Sequence, residues 1–153
     1  AHFNPFVSLA MFLRKKINAK LLIIYIPAQI LGCLLGVMLA NVFFEHDILE
    51  LSTKNRDGFN IFLSEIIATF GLIFIIFATL KDGKITIAAS VATYIMAGYW
   101  FTSSTSFANP AVAIARTFTD SFTGINYLNT PTYILAEFLG ALIAVYFIKK
   151  LIK

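Results

Sequence analysis

Long apolar runs alternate along this chain with short polar or basic breaks. Residues 21–44 are uncharged, and residues 59–80 carry one carboxylate, Glu65. Residues 85–115 are again uncharged, and residues 131–148 carry Glu137 alone. An α-helix crosses the hydrocarbon core of a bilayer in about 20 residues. Each of these runs therefore predicts a spanning helix, the third ending near Phe101. Residues 6–13 are apolar too, but stop at Arg14-Lys15-Lys16. That length fits a half-helix rather than a span. The breaks are the loop 45–58, the turn 81–84, and the Asn-, Ser- and Thr-rich loop 120–130.

The run 85–115 is too long for one span and contains a second signal, Asn109-Pro110-Ala111. Asn is a preferred N-cap, and Pro suits the first helical position. A helix start therefore falls deep inside a membrane-length segment. The expectation is a span ending near 101, a re-entrant connection 102–108, and a half-helix 110–118.

The same signal occurs at the other end of the chain, as Asn4-Pro5-Phe6, and starts a half-helix 5–14. Phe3-Asn4-Pro5-Phe6-Val7-Ser8-Leu9-Ala10 aligns with Ala108-Asn109-Pro110-Ala111-Val112-Ala113-Ile114-Ala115. The spans that follow match as well: Tyr25-Ile26-Pro27-Ala28-Gln29-Ile30-Leu31-Gly32 with Tyr133-Ile134-Leu135-Ala136-Glu137-Phe138-Leu139-Gly140. Gln29 and Glu137 occupy equivalent places and read as hydrogen-bonding residues inside their helices. Ala28, Gly32 and Gly36, and likewise Ala136, Gly140 and Ala144, form small-residue faces suited to close helix packing. Three spans separate the half-helices, so the copies have opposite orientation. Inverted repeats with broken helices mark a transport pathway at the repeat interface. A complete first copy requires two further spans before Ala1, giving six in all, so the chain is expected to be a fragment of a longer protein.

Composition agrees with a membrane protein: 59% of the 153 residues are hydrophobic and 13% charged. The net charge of +4 is not spread as a nucleic-acid site requires. Arg14, Lys15, Lys16, Lys20, Lys81, Lys84, Lys149, Lys150 and Lys153 fall on one side of the predicted topology, against Asp82. Lys54, Arg56 and Arg116 fall on the other, among Glu45, Asp47, Glu50, Asp57 and Asp120. The positive-inside rule makes the first side cytoplasmic, so the 14–20 region, the 81–84 turn and the C-terminus face the cytoplasm. The single cysteine, Cys33, excludes a disulfide within the chain. No nucleophile–base pair, phosphate loop or metal-ligand spacing is present, so neither an enzyme, a cofactor nor a metal is expected. His46 reads as a solvated loop residue, and Arg116 and Asp120 are spaced for an i,i+4 pair.

On these motifs the chain resembles the major intrinsic proteins, the aquaporin and aquaglyceroporin channels. The resemblance covers nearly all of residues 1–153, from the family's first re-entrant loop through its sixth helix. It implies an all-α membrane fold with an inverted repeat, four of six spanning helices and two re-entrant half-helices. It also implies a homotetramer with one pore per subunit, set in the lipid bilayer and passing small neutral solutes in single file. Asn4, Pro5, Phe6, Asn109, Pro110 and Ala111 match the two pore motifs. Glu65 matches a buried glutamate that holds loop groups in place.

Two departures stand out. The family's selectivity constriction usually carries Arg three residues after the second Asn, where this chain has Val112. The other constriction positions within the chain fall on Ala97 and Ser106, and the fourth lies in the family's second helix. This set implies a wide, weakly polar opening suited to glycerol-like polyols as well as water. Phe6 replaces the usual Ala of the first motif, and either packs on neighbouring helices or narrows the mid-pore. Val112 through Thr117, with Tyr99-Trp100-Phe101-Thr102, resembles a prokaryotic plasma-membrane subgroup associated with metalloid resistance, which implies passage of undissociated arsenous acid. The alternatives are a secondary transporter with an inverted repeat, in which Glu65 or Glu137 titrates, and a non-conducting fragment.

Overall fold

The computed structural model describes residues 1–152 and is all-α. Lys153, assigned to the cytoplasmic side with the C-terminus, lies outside the described residues. In chain order the helices are α1 (Pro5–Leu13), α2 (Ala19–Phe43), α3 (Phe59–Ala78), α4 (Lys84–Phe101), α5 (Pro110–Ala115) and α6 (Thr130–Leu151). A single 3-10 turn, Arg116–Phe118, continues α5.

Local chemistry explains where the helices begin. Asn4 is extended and its side chain accepts from the amides of Phe6 and Val7, with Pro5 in the first turn. Asn109 does the same for α5, accepting from Ala111 N ahead of Pro110. Asn18 caps α2 through Leu21 N. Gly58 and Gly83 precede α3 and α4 with φ of 113° and 96°, a region open to glycine at little cost.

Among the described residues, α2, α3 and α6 are long and apolar enough to cross a membrane. The chain is thus a multi-pass membrane protein by length and composition. The fourth expected span, α4, does not reach that standard. It has 18 residues, begins at Lys84, and mixes Thr, Ser, Gly and Tyr with its apolar residues.

The core forms where α3 packs on α6. Ala136, Gly140 and Ala144 of α6 are buried, and an added Cβ at Gly140 meets the Ile66 carbonyl of α3. Ala68, Ile73, Ala144 and Ile148 fill this contact, and Ala10 and Met11 of α1 close it. The matching small-residue face of α2 behaves differently. Gly32 and Gly36 have nothing within 4 Å of an added Cβ, so this face is open within the chain. Gln29 and Asn41 are the buried residues of α2, and Gly98 is that of α4. Both helices otherwise present apolar side chains outward.

The loop 45–58 is a strap rather than a free connection. Ser52 N donates to Thr117 O at 3.0 Å, and Asn126 N to Lys54 O at 2.8 Å. Buried Asn41 donates to Phe118 O at 2.9 Å. His46 pairs with Glu50 at 2.8 Å. Asp120 does not take Arg116 as its partner. It accepts from Thr53 N at 2.8 Å and from the Thr53 hydroxyl. The i,i+4 geometry is lost because the helix tightens at 116–118 and Thr119 is extended (φ −149°, ψ 129°).

Candidate pore site

The N-termini of α1 and α5 meet. Asn4 Nδ2 donates to the carbonyl of Ala108, and Asn109 Nδ2 to the carbonyl of Phe3 at 2.9 Å. Each asparagine thus caps its own helix through Oδ1 and clasps the residue preceding the other asparagine through Nδ2. One hydrogen of each side-chain NH2 is used in this clasp, which leaves a second donor on each. Pro5, Pro110 and Ala111 are buried behind them.

The connection into α5 is strained. Thr105, Ser106 and Ala108 have φ of 66°, 49° and 47°, a region that costs a non-glycine residue about 1–3 kcal/mol. Two carboxylates hold it there. Glu65 of α3 accepts from Phe107 N at 2.9 Å and from Ala108 N at 2.7 Å. Glu137 of α6 accepts from Asn109 N at 2.9 Å. Gln29, at the equivalent place on α2, works with the opposite polarity. It donates to the carbonyl of His2 and to the Ser8 hydroxyl, both at 2.9 Å. Thus α6 and α2 each brace one asparagine-bearing loop, α6 through an acceptor and α2 through a donor.

Phe6 packs against α6. Its ring lies 5.7 Å from that of Phe138, and it borders an apolar groove of about 680 Å³ with Ile114, Thr117 and Ile134. At 100° per residue, Ile114 lies on the far side of α5 from Val112.

Of the three positions expected at a constriction, Ser106 is buried against Gly98 of α4, where an added Cβ would come within 2.5 Å of the Ser106 hydroxyl. Ala97 is the preceding residue and is exposed. Val112 is half-buried and leans on the cluster of Phe107, Ala113, Ile125 and Tyr133.

Arg116 was not legible as part of this site. It lies one turn beyond Val112, and helical side chains lean toward the N-terminus. Its guanidinium accordingly reaches back over the Phe107 ring, 4.3 Å from the centroid. Arg56, on the strap, stands 6.0 Å from the same ring and bonds Thr105 Oγ1 at 3.3 Å and Phe122 O at 2.7 Å. The one available signal was the i,i+4 spacing of Val112 and Arg116. Nothing local marked Arg56.

Among the described residues no cluster of His, Cys, Asp or Glu is arranged to hold a metal ion.

Two asparagine-capped helix starts, clasped head to head beside membrane-length helices, define an all-α, multi-pass membrane protein. The family model described as major intrinsic protein matches residues 1–103, and the chain belongs to that family, whose channels are transporters without catalytic activity. It is 44% identical over 144 residues to aquaglyceroporin AqpS of Rhizobium meliloti (strain 1021), covering 94% of this chain and 62% of that protein. It is 27% identical to the probable aquaporin TIP3-2 of Arabidopsis thaliana, covering 94% of this chain and 55% of that protein. It is 28% identical to aquaporin-4 of Rattus norvegicus, covering 94% of this chain and 46% of that protein. The chain thus spans about half to three-fifths of the length of these relatives.

Proposed function

We propose that this chain carries the pore motifs of a passive channel for small uncharged solutes: water, glycerol-like polyols and undissociated arsenous acid. The observation that carries the reading is the reciprocal clasp of Asn4 and Asn109. It fixes two side-chain amides at one place, each with an N–H left for a passing oxygen. Two helix N-termini beside them carry partial positive charge, which opposes cations and hydrated protons.

The solute range follows from the constriction. Ala97, Ser106 and Val112 are small and carry no charge. They favour polyols and larger hydroxylated neutral molecules over water alone, in keeping with the name of the 44%-identical relative, an aquaglyceroporin. The likeness of Val112–Thr117 to a metalloid-resistance subgroup extends the proposal to arsenous acid. In this reading α4 is a fourth span, α1 and α5 are re-entrant, and the 14–20 region and the 81–84 turn face the cytoplasm of a prokaryotic cell. The open faces of α2 and α4 meet lipid and neighbouring copies in a homotetramer.

The test is uptake into vesicles carrying the protein, with and without a proton gradient. A passive channel gives the same rate of glycerol entry in both. A rate that follows the gradient rejects the channel in favour of a proton-coupled carrier.

A further inference from the structure

Glu65 and Glu137 are each fully buried; they accept from the consecutive main-chain amides of residues 107–109, with their carboxyl groups close enough to share a proton. Their oxygens are unequally used. Both oxygens of Glu65 accept main-chain amides, from Phe107 and Ala108. Glu137 Oε1 accepts from Asn109 N. Glu137 Oε2 is sealed from solvent, and no donor among the described residues reaches it. A buried carboxylate oxygen left without a donor is costly. Two ionised carboxylates in contact add strong repulsion in a medium of low dielectric.

Among the described residues neither carboxylate makes an ion pair. Arg116, stacked on Phe107, is electrostatically coupled to Glu65. Arg56 bonds Thr105 and Phe122 rather than either carboxylate. The other groups facing the pair are neutral: Tyr94 from α4, Tyr133 from α6 and the Ser104 hydroxyl from the connection before α5.

We propose that Glu137 is a neutral carboxylic acid whose Oε2–H donates to the Glu65 carboxylate. The pair then holds one proton and one negative charge, and clamps the consecutive amides of residues 107–109 as a unit. The hydrogen falls on the one oxygen of the pair that has no other partner. Glu137 is a positioning residue: it acts on the pore through Asn109. Only that consequence rests on the channel reading, since the shared proton stands on the geometry of α3, α6 and the connection.

Infrared difference spectra of the reconstituted protein, in water and in deuterium oxide, test this directly. Wild-type protein gives the carbonyl stretch of a buried protonated carboxylic acid, shifted in deuterium oxide and absent from Glu137→Gln. The Gln side chain offers an acceptor to Asn109 N and a donor to Glu65, so the unfolding midpoint of Glu137→Gln stays within about 2 °C of wild type. Glu65→Gln turns an amide donor toward a main-chain N–H and lowers the unfolding midpoint by about 4 °C or more. Absence of the band, its persistence in Glu137→Gln, or equal damage from the two Gln variants overturns the proposal. A protein that shows the band and does not conduct refutes the channel reading alone.

Discussion

Asn4 and Asn109 each donate a side-chain hydrogen bond to the carbonyl of the residue that precedes the other, Ala108 and Phe3 respectively. The relation is two-fold, and it joins positions 104 and 106 residues apart. Replacing the Asn109 amide by a carboxylate keeps the cap on α5 and removes the donor. Asn109→Asp therefore leaves the Phe3 carbonyl facing an oxygen, which costs about 1–3 kcal/mol. Thermal unfolding in detergent checks this. The midpoint of Asn109→Asp falls by several degrees, at about 2–4 °C per kcal/mol for a chain of this size.

Gly98 and Ser106 are fitted to one another. A Cβ at Gly98 comes within 2.5 Å of the Ser106 hydroxyl and 2.9 Å of its Cβ, and Ser106 sits at φ 49° with little freedom to move. Gly98→Ala is expected to cost about 1–3 kcal/mol by overpacking. Adding Ser106→Gly removes the obstruction, so the double variant is more stable than Gly98→Ala. A double-mutant cycle of unfolding free energies measures the coupling. Additive effects contradict the contact.

At Gly140, α6 packs directly against the main chain of α3. An added methyl meets main-chain atoms, the Ile66 carbonyl and, at 3.1 Å, the Phe70 amide, which cannot swing aside as a side chain can. Gly140→Ala is therefore destabilising by about 1–3 kcal/mol, although Ala is the better helix former. An unchanged or raised midpoint excludes this packing.

Asp120 gives the strap an acid-sensitive tie. The amide of Thr53 holds its carboxyl below the ordinary carboxylate value, aided by the Thr53 hydroxyl and the charge of Lys54. A group whose value is lowered in the folded state stabilises the fold above its unfolded value, near 4. That contribution is lost as pH falls through the lower, folded value. The prediction is that hydrogen exchange at Thr53 N speeds up, after correction for intrinsic rate, as pH drops below 4. Asp120→Asn removes that step, and an identical pH profile in the variant contradicts the assignment.

Local signals and long-range structure were legible to different degrees. Asn4-Pro5 and Asn109-Pro110 marked both short helices because caps and helix starts are set by adjacent residues. The buried face of α6 followed from small-residue spacing, which holds at Gly140, while the same spacing on α2 finds no partner within the chain at Gly32 and Gly36. The strap could not be read. Its ties, Ser52 to Thr117 and Thr53 to Asp120, and that of neighbouring Asn41 in α2 to Phe118, join residues far apart in the chain through side chains and amides that carry no sequence signal. The Arg116–Asp120 pair was expected from helical spacing and failed where the helix tightened into a 3-10 turn. Glu65 was readable as an isolated carboxylate in a spanning run. The contact that makes Glu137 its partner depends on how α3 and α6 pack, which spacing along either helix does not contain.

Val112 is where selectivity is most directly tested. Stopped-flow permeability to water and to glycerol is measured in vesicles with matched amounts of wild-type protein and Val112→Arg. A wide, uncharged constriction predicts that the guanidinium cuts glycerol permeability severalfold more than water permeability. Equal loss of both, or no loss of either, contradicts a pore whose solute range is set at Val112.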